Sequence, residues 1–427
     1  MKCLKISDDH RRIVTFNDES FFLIGDTAWE LFHKLDRDDA EYYLKTRKNQ
    51  GFNFIQAVVL AELNGLETPN PYGRTPLLKN ESGTFDPTMP DIDGDYSYFD
   101  HVEFIISKAS ELGLYMGILP TWGDKFNKKW GLGPEIFTEK NAYIYAKWLA
   151  MHLSKYNNII WILGGDRPLE TKAHFSIIES MAQGLKDGDG GKFLITLHPS
   201  GSASSSKYVH SCQWLDFNMI QSGHCRPSNP ESYELLEYDR TLQPIKPTMD
   251  GEQRYEDHPI SFKETNGYFD AVDVRNAMWK NLFSGSCGNT YGHSCVWCMN
   301  TEKNSYHPNT WRESLHRPAA EQMKYFSDFI CKNDLSSHKP SEAAVENNEK
   351  GENYVQAVIS KNSAYLYIPC GISVKLSNIP FKIDNITAFE PTTGEYHSNI
   401  SLTDGIVSFP GRGAGRGMDI VVILKGE

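Results

Sequence analysis

The chain contains no run of 18 apolar residues, so no segment is expected to span a bilayer as a helix. Its first residues, Met1-Lys-Cys-Leu-Lys-Ile-Ser-Asp-Asp9, lack the apolar core of a secretory leader. Either the protein stays in the cytoplasm or a leader has been removed from this sequence. Cysteine is sparse, eight in 427 residues, and too scattered to imply a disulfide framework. Cys295-Val-Trp-Cys298 is a lone C-x-x-C; a zinc site needs a second pair at suitable spacing, and none is present. The cysteines read as mostly small buried side chains. No H-x-H or H-E-x-x-H pattern occurs, so no metal and no other cofactor is expected. Basic excess is also absent: 43 Lys and Arg face 55 Asp and Glu, a net charge of -12. A phosphate-binding surface needs clustered bases, which argues against a nucleic-acid partner.

Aromatics are what the chain has in quantity, including nine Trp and 21 Tyr. They suit stacking on sugars, and equally suit ordinary cores. Short apolar runs alternate with amphipathic helical stretches, the pattern of a βαβ array. Strands are expected at Phe21–Gly25, Phe52–Leu60, Leu114–Leu119, Ile159–Leu163, Phe193–His198, Phe217–Ser222, Lys246–Asp250 and Ser286–Tyr291. Helices are expected near 38–47, 98–112, 139–156, 172–186, 271–283 and 312–331, and a long polar loop over 62–97. Eight strand–helix units predict a closed (β/α)8 TIM barrel over residues 1–335. From about His338 the period changes to two, as in Tyr354–Ile359, Ala364–Ile368, Ile386–Phe389, Ile406–Phe409 and Asp419–Leu424. A small antiparallel β-sandwich is expected over 340–427, after a polar linker at 333–350.

The organising segment is Asn158-Ile-Ile-Trp-Ile-Leu-Gly-Gly-Asp-Arg-Pro168, a buried parallel strand ending in a carboxylate. Taken alone, Asp166 reads as well as a helix N-cap with Pro168 in the first turn. The residues at the ends of the other strands shift the weight: Asp26 and Trp29 after the first, Trp122 and Asp124 after the third, His198 after the fifth, Gln221 and His224 after the sixth. Glu252 and Tyr255 come after the seventh; Tyr291, His293 and Trp297 come at the end of the eighth. Each could be structural on its own. Together they crowd the end of a barrel where catalytic groups are mounted, with no Gly-rich phosphate loop. Indoles, imidazoles and carboxyls suit a hydroxyl-rich, neutral oligosaccharide or glycoside. Asp166 and Glu252 lie after strands on opposite sides of the barrel mouth. Glycoside hydrolysis needs such a pair, one carboxyl kept protonated and one ionised.

Three segments carry a resemblance: Ile24-Gly-Asp-Thr-Ala-Trp29, Trp161-Ile-Leu-Gly-Gly-Asp-Arg167 and Asp250-Gly-Glu-Gln-Arg-Tyr-Glu256, with Tyr291-Gly-His293. They are similar to the apiosidase-like glycoside hydrolases, glycoside hydrolase family 140. The tail resembles the collagen-binding-type β domain that usually accompanies that barrel. The resemblance implies an exo-acting enzyme releasing apiose from pectic side chains of rhamnogalacturonan II. It implies Asp166 as acid/base and Glu252 as nucleophile, and an exported or periplasmic setting if a leader was removed. Other readings stay open here: an exo-glycosidase for a different sugar, a catalytically inactive carbohydrate-binding barrel, or a metal-dependent hydrolase using the histidines.

Overall fold

The structure, a computed structural model, describes residues 1–225 and 231–426. Eight parallel strands form the barrel wall: β1 (Leu23–Thr27), β2 (Phe54–Leu60), β3 (Tyr115–Thr121), β4 (Ile159–Gly164), β5 (Ile195–His198), β6 (Asn218–Gln221), β7 (Thr248–Asp250) and β8 (Gly288–Tyr291). They lie in sequence order, and β8 returns to β1 with Gly288 opposite Leu23. Residues Ala203–Ser204 add a ninth, antiparallel strand against β6. The seam between β5 and β6 has no strand ladder among the described residues. It is held instead by Asp216 N donating to Ile195 O at 2.9 Å and Thr196 Oγ1 donating to Phe217 O at 2.7 Å.

The strands are apolar on both sides because both are covered. Leu23, Phe54, Val58, Leu119, Ile160, Ile162, Met219 and Met249 fill the interior. Trp161, Leu163, Ile55 and Ile118 face the surrounding helices. Fully burying each such side chain is worth about 1.5–3 kcal/mol. Seven helices of eight or more residues form the outer ring: α1 (Arg37–Asn49), α2 (Tyr98–Glu111), α3 (Glu139–Leu153), α4 (Lys172–Asp189), α5 (Ser232–Asp239), α6 (Ala271–Phe283) and α7 (Pro318–Lys332). Caps set their starts: Asp36, Ser97, Thr138, Thr171 and Asp270 each accept a backbone N–H of the first turn.

Four details differ from the sequence reading. The expected last helix is split into a single turn, Trp311–Ser314, and α7, because Pro318 starts a helix and cannot continue one. Helix α5, too short for a clear periodic pattern, was not anticipated. The β5–β6 connection carries only one helical turn, Ser206–Val209. The long loop contains a hairpin, Leu77–Lys79 against Phe85–Pro90.

Beyond the barrel lie two antiparallel sheets. The larger contains β9 (Gln356–Ile359), β10 (Ser363–Ile368), β11 (Ile383–Phe389) and β12 (Ile420–Gly426), with β12 between β10 and β11. Lys339–Pro340, within the stretch read as linker, pairs with the edge of β9. Leu366, Ile368, Val422 and Leu424 face the smaller sheet with Val374 and Val407. The alternate residues Tyr365, Tyr367, Val421 and Ile423 pack on α6 and α7. There Trp279 stacks on Tyr367 with ring centroids 6.1 Å apart, and Arg275 pairs with buried Asp419 at 2.6 Å.

Candidate active site

The β4–α4 junction decides the position of Asp166. Gly164, Gly165 and Asp166 have φ of 87°, 108° and 53°, three successive residues in the left-handed region. A Cβ on Gly164 would lie 2.4 Å from His198 O, and one on Gly165 would lie 2.7 Å from Gly123 N. The two glycines therefore let β4 end tightly against its neighbours, joined by Gly123 N to Gly165 O at 3.1 Å and Gly165 N to His198 O at 3.2 Å. Asp166 is no N-cap: α4 begins at Lys172, and Thr171 caps it. A non-glycine residue held at positive φ stores strain of the kind found at functional sites.

Glu252 lies just past β7 and is 6% exposed. His224 Nε2 is 3.0 Å from its Oε1. His198 Nε2 is 3.1 Å from its Oε2, an ion-pair contact rather than an aligned hydrogen bond. The other side of the His198 ring meets Asp166: the Asp166 backbone N–H approaches Nδ1 at 3.3 Å. One imidazole thus touches the Glu252 carboxylate and the Asp166 backbone.

Their acidities are pushed apart. Burial raises the Asp166 carboxyl above its ordinary value, and the Glu252 charge raises it further. Arg167 Nη1 at 3.1 Å, Trp130 Nε1 at 2.9 Å and the His198 ring pull the other way without cancelling the rise. Burial also acts to raise Glu252, but the close approach of the His198 and His224 imidazoles outweighs it. Glu252 ends well below the usual carboxylate range. Of the two, Glu252 is the readier to ionise and Asp166 the readier to hold a proton.

Around the pair, Trp29 and Trp122 are buried with ring centroids 5.1 Å apart, and 5.5 and 5.8 Å from His198. Trp122 Nε1 is buried without a partner. Trp297, half-buried, packs on the same cluster. The Tyr255 ring lies 4.4 Å from that of His224. Burial first, then the Glu252 charge, pushes its phenol well up, so it remains a hydroxyl donor. Gln221 shares the inward face of β6 with Met219; its Oε1 is buried and unpartnered, and it makes no hydrogen bond to either carboxylate among the described residues.

Three expected site residues lie elsewhere. Asp26 is fully buried, bonded to Arg47 Nε at 2.6 Å and Tyr43 OH at 2.5 Å on α1. Tyr291 packs on Phe52 and donates to Glu256 Oε2 at 2.8 Å. Strand parity explains both. Leu23 on β1 and Thr290 on β8 face the interior, so Asp26 and Tyr291 face the helices. His293 accepts from Cys295 N at 2.9 Å and meets Asp257 Oδ2 at 3.1 Å, which fixes the loop after β8.

Two residues were not singled out from sequence. Glu62, just past β2, is raised well above the ordinary range by burial first, then by the charges of Glu30, Asp124 and Asp166. It obeys the same strand-end rule as the others, so the signal was present. Trp130 stands in a Lys-Lys-Trp-Gly loop with no periodic signal, and only the fold brings it to Asp166. A cavity of about 840 Å³ lies elsewhere, lined by Phe22, Thr248, Cys287 and Pro340, and the carboxylate pair does not line it. It is a seam between barrel and tail rather than a site of chemistry. Among the described residues no group of three or more His, Cys, Asp or Glu converges as metal ligands do, and no helix is long and apolar enough to cross a membrane.

The whole architecture is similar to solved structures. One, a glycoside hydrolase, matches with TM-score 0.88 and 26% identity over 100% of this chain and 97% of its own. A glycoside hydrolase family 5 structure from Bacteroides vulgatus matches with TM-score 0.89 and 26% identity over 99% and 93%. An endo-1,4-beta-mannanase from Rhizomucor miehei shares the fold at TM-score 0.54 and 10% identity over 78% and 100%. No curated protein matches the chain. The two likenesses at 26% identity, with the family match, define the class: the protein is a glycoside hydrolase on a TIM-like barrel, with a glycan as substrate. The model of the apiosidase-like catalytic domain matches residues 7–337, and the chain belongs to that family.

Proposed function

We propose that the protein is a retaining, exo-acting apiosidase-like enzyme on pectic side chains of rhamnogalacturonan II. Asp166 is its acid/base and Glu252 its nucleophile. The observation that carries this reading is the contrast in what holds the two acids: His198 and His224 stand at the two oxygens of buried Glu252, while the Asp166 carboxyl meets Trp130 and Arg167. In the first step Asp166 gives its proton to the glycosidic oxygen as the C–O bond breaks, and Glu252 bonds the anomeric carbon. The leaving group departs as an alcohol. Asp166, now a carboxylate, takes a proton from water, whose oxygen attacks the same carbon and releases Glu252. An inverting mechanism would need a water between base and sugar. Glu252 is buried, with an imidazole at each oxygen and Tyr255 beside it, which favours direct attack. Trp29, Trp122 and Trp297 supply apolar walls for the sugar ring.

The test is sugar release from rhamnogalacturonan II oligosaccharides, with the first-formed anomer read by NMR. Apiose of retained configuration is expected. Glu252→Gln should lose turnover by about 10³-fold or more, as in other covalent catalysts, and keep its fold. Near-normal turnover in that variant removes the role assigned to Glu252; an inverted product removes the retaining step.

A further inference from the structure

Trp130 is 62% exposed, yet it is firmly held. Its Nε1 donates to Asp166 Oδ2 at 2.9 Å, and the Arg167 guanidinium sits 4.6 Å over its ring. The loop that carries it is anchored from below. Asp124, fully buried with Lys125, accepts the Gly133 N–H at 2.8 Å. Gly131 passes so close that a Cβ there would lie 2.4 Å from Asp124 Cβ and 2.5 Å from Arg167 Nη2. Lys129 ties the outer edge to Glu170 at 2.7 Å. What sets this exposed indole apart is its fixing beside the carboxyl of Asp166, with a guanidinium over its ring and the rest of its surface open to water. A sugar ring can stack on that open surface.

The hydrogen bond to Asp166 points to the ligand. The oxygen that Asp166 protonates must come within hydrogen-bond distance of that carboxyl. Whatever is attached to that oxygen on the leaving side then passes the group already touching Oδ2. We propose that Trp130 is the platform of the leaving-group subsite, stacking on the apolar face of the sugar next to the scissile bond while its N–H orients Asp166. The inference rests on the acid/base role given to Asp166 above and adds the recognition of a second sugar ring. The enzyme therefore selects for a glycosidic partner that is itself a sugar, not only for the terminal residue it releases.

Two substitutions separate the two functions of the indole. Trp130→Ala removes both, and Trp130→Phe keeps a stacking ring and drops the N–H. The probes are an apiose-terminated rhamnogalacturonan II oligosaccharide and apiosyl fluoride, which carries no leaving sugar and needs no protonation. Trp130→Ala should raise KM for the oligosaccharide by about tenfold and change kcat/KM on the fluoride less than threefold. Trp130→Phe should stay within a few-fold of wild type on the oligosaccharide and move the alkaline limb of its pH profile upward, because Asp166 loses a donor to its anion. Equal losses on both probes, or no loss on either, overturn the platform. An unshifted limb in Trp130→Phe overturns the orienting role. If the wild-type protein hydrolyses neither probe, the reading of function fails first and takes this one with it.

Discussion

The charge on Glu252 depends on two imidazoles, so removing one should be visible in the pH profile. His224→Phe keeps an aromatic ring where His224 packs on Tyr255 and His258, both at 4.4 Å, and deletes the 3.0 Å contact from Nε2 to Oε1. A hydrogen bond to a charged group contributes about 1.5–3 kcal/mol. At about 1.36 kcal/mol per pKa unit, that is about one to two units. The direction of the shift sets the sign. Glu252 is depressed in the folded protein, so its anion, and the stability it brings, is present above the ordinary value of about 4.3 and lost as pH falls through the folded one. Removing a donor raises the folded value, so the acid limb of kcat/KM should move up by about one to two pH units. The assay is kcat/KM against pH, with thermal unfolding measured at each pH so that acid unfolding is not mistaken for titration. If the limb stays in place while the fold is intact, or if activity falls by one factor at every pH, His224 does not hold the Glu252 charge and the reasoning is refuted.

The same geometry sets other outcomes. Arg47→Met leaves the buried Asp26 carboxylate without its cation, which should cost about 3–5 kcal/mol in denaturant unfolding. The kcat/KM of the folded fraction should be unchanged; a selective loss of turnover would return Asp26 to the site. Gly165→Ala places a Cβ 2.7 Å from Gly123 N at a φ of 108°. It should lower stability by more than about 1 kcal/mol and reduce kcat through displaced Asp166, and a fully active, equally stable variant would show that the close approach is not needed. Asp166→Asn should lose about 10²–10⁴-fold in kcat on sugar leaving groups and far less on apiosyl fluoride; equal losses on both would deny it the acid role.

The sequence by itself determined the alternation of strands and helices, the change of period near His338 and the approximate place of each barrel-wall strand. Those features obey local rules, because hydrophobic period and caps such as Ser97 and Thr171 act over a few residues. It also placed Asp166 and Glu252 at strand ends, and the Gly-Gly step beside Asp166 could be read as a close approach. It could not tell Asp26 from His198. Both obey the barrel rule, but whether a side chain faces the mouth or the helices is fixed by register across the closed wall, and Leu23 and Thr290 set that parity for β1 and β8. Tertiary structure alone decided that His198 and His224 clasp Glu252, that Arg47 claims Asp26, and that Trp130 reaches Asp166 from 36 residues away. The physical reason is range. Periodicity and capping are written in neighbours, while the acidity of a carboxylate is set by burial and by charges that arrive from distant parts of the chain.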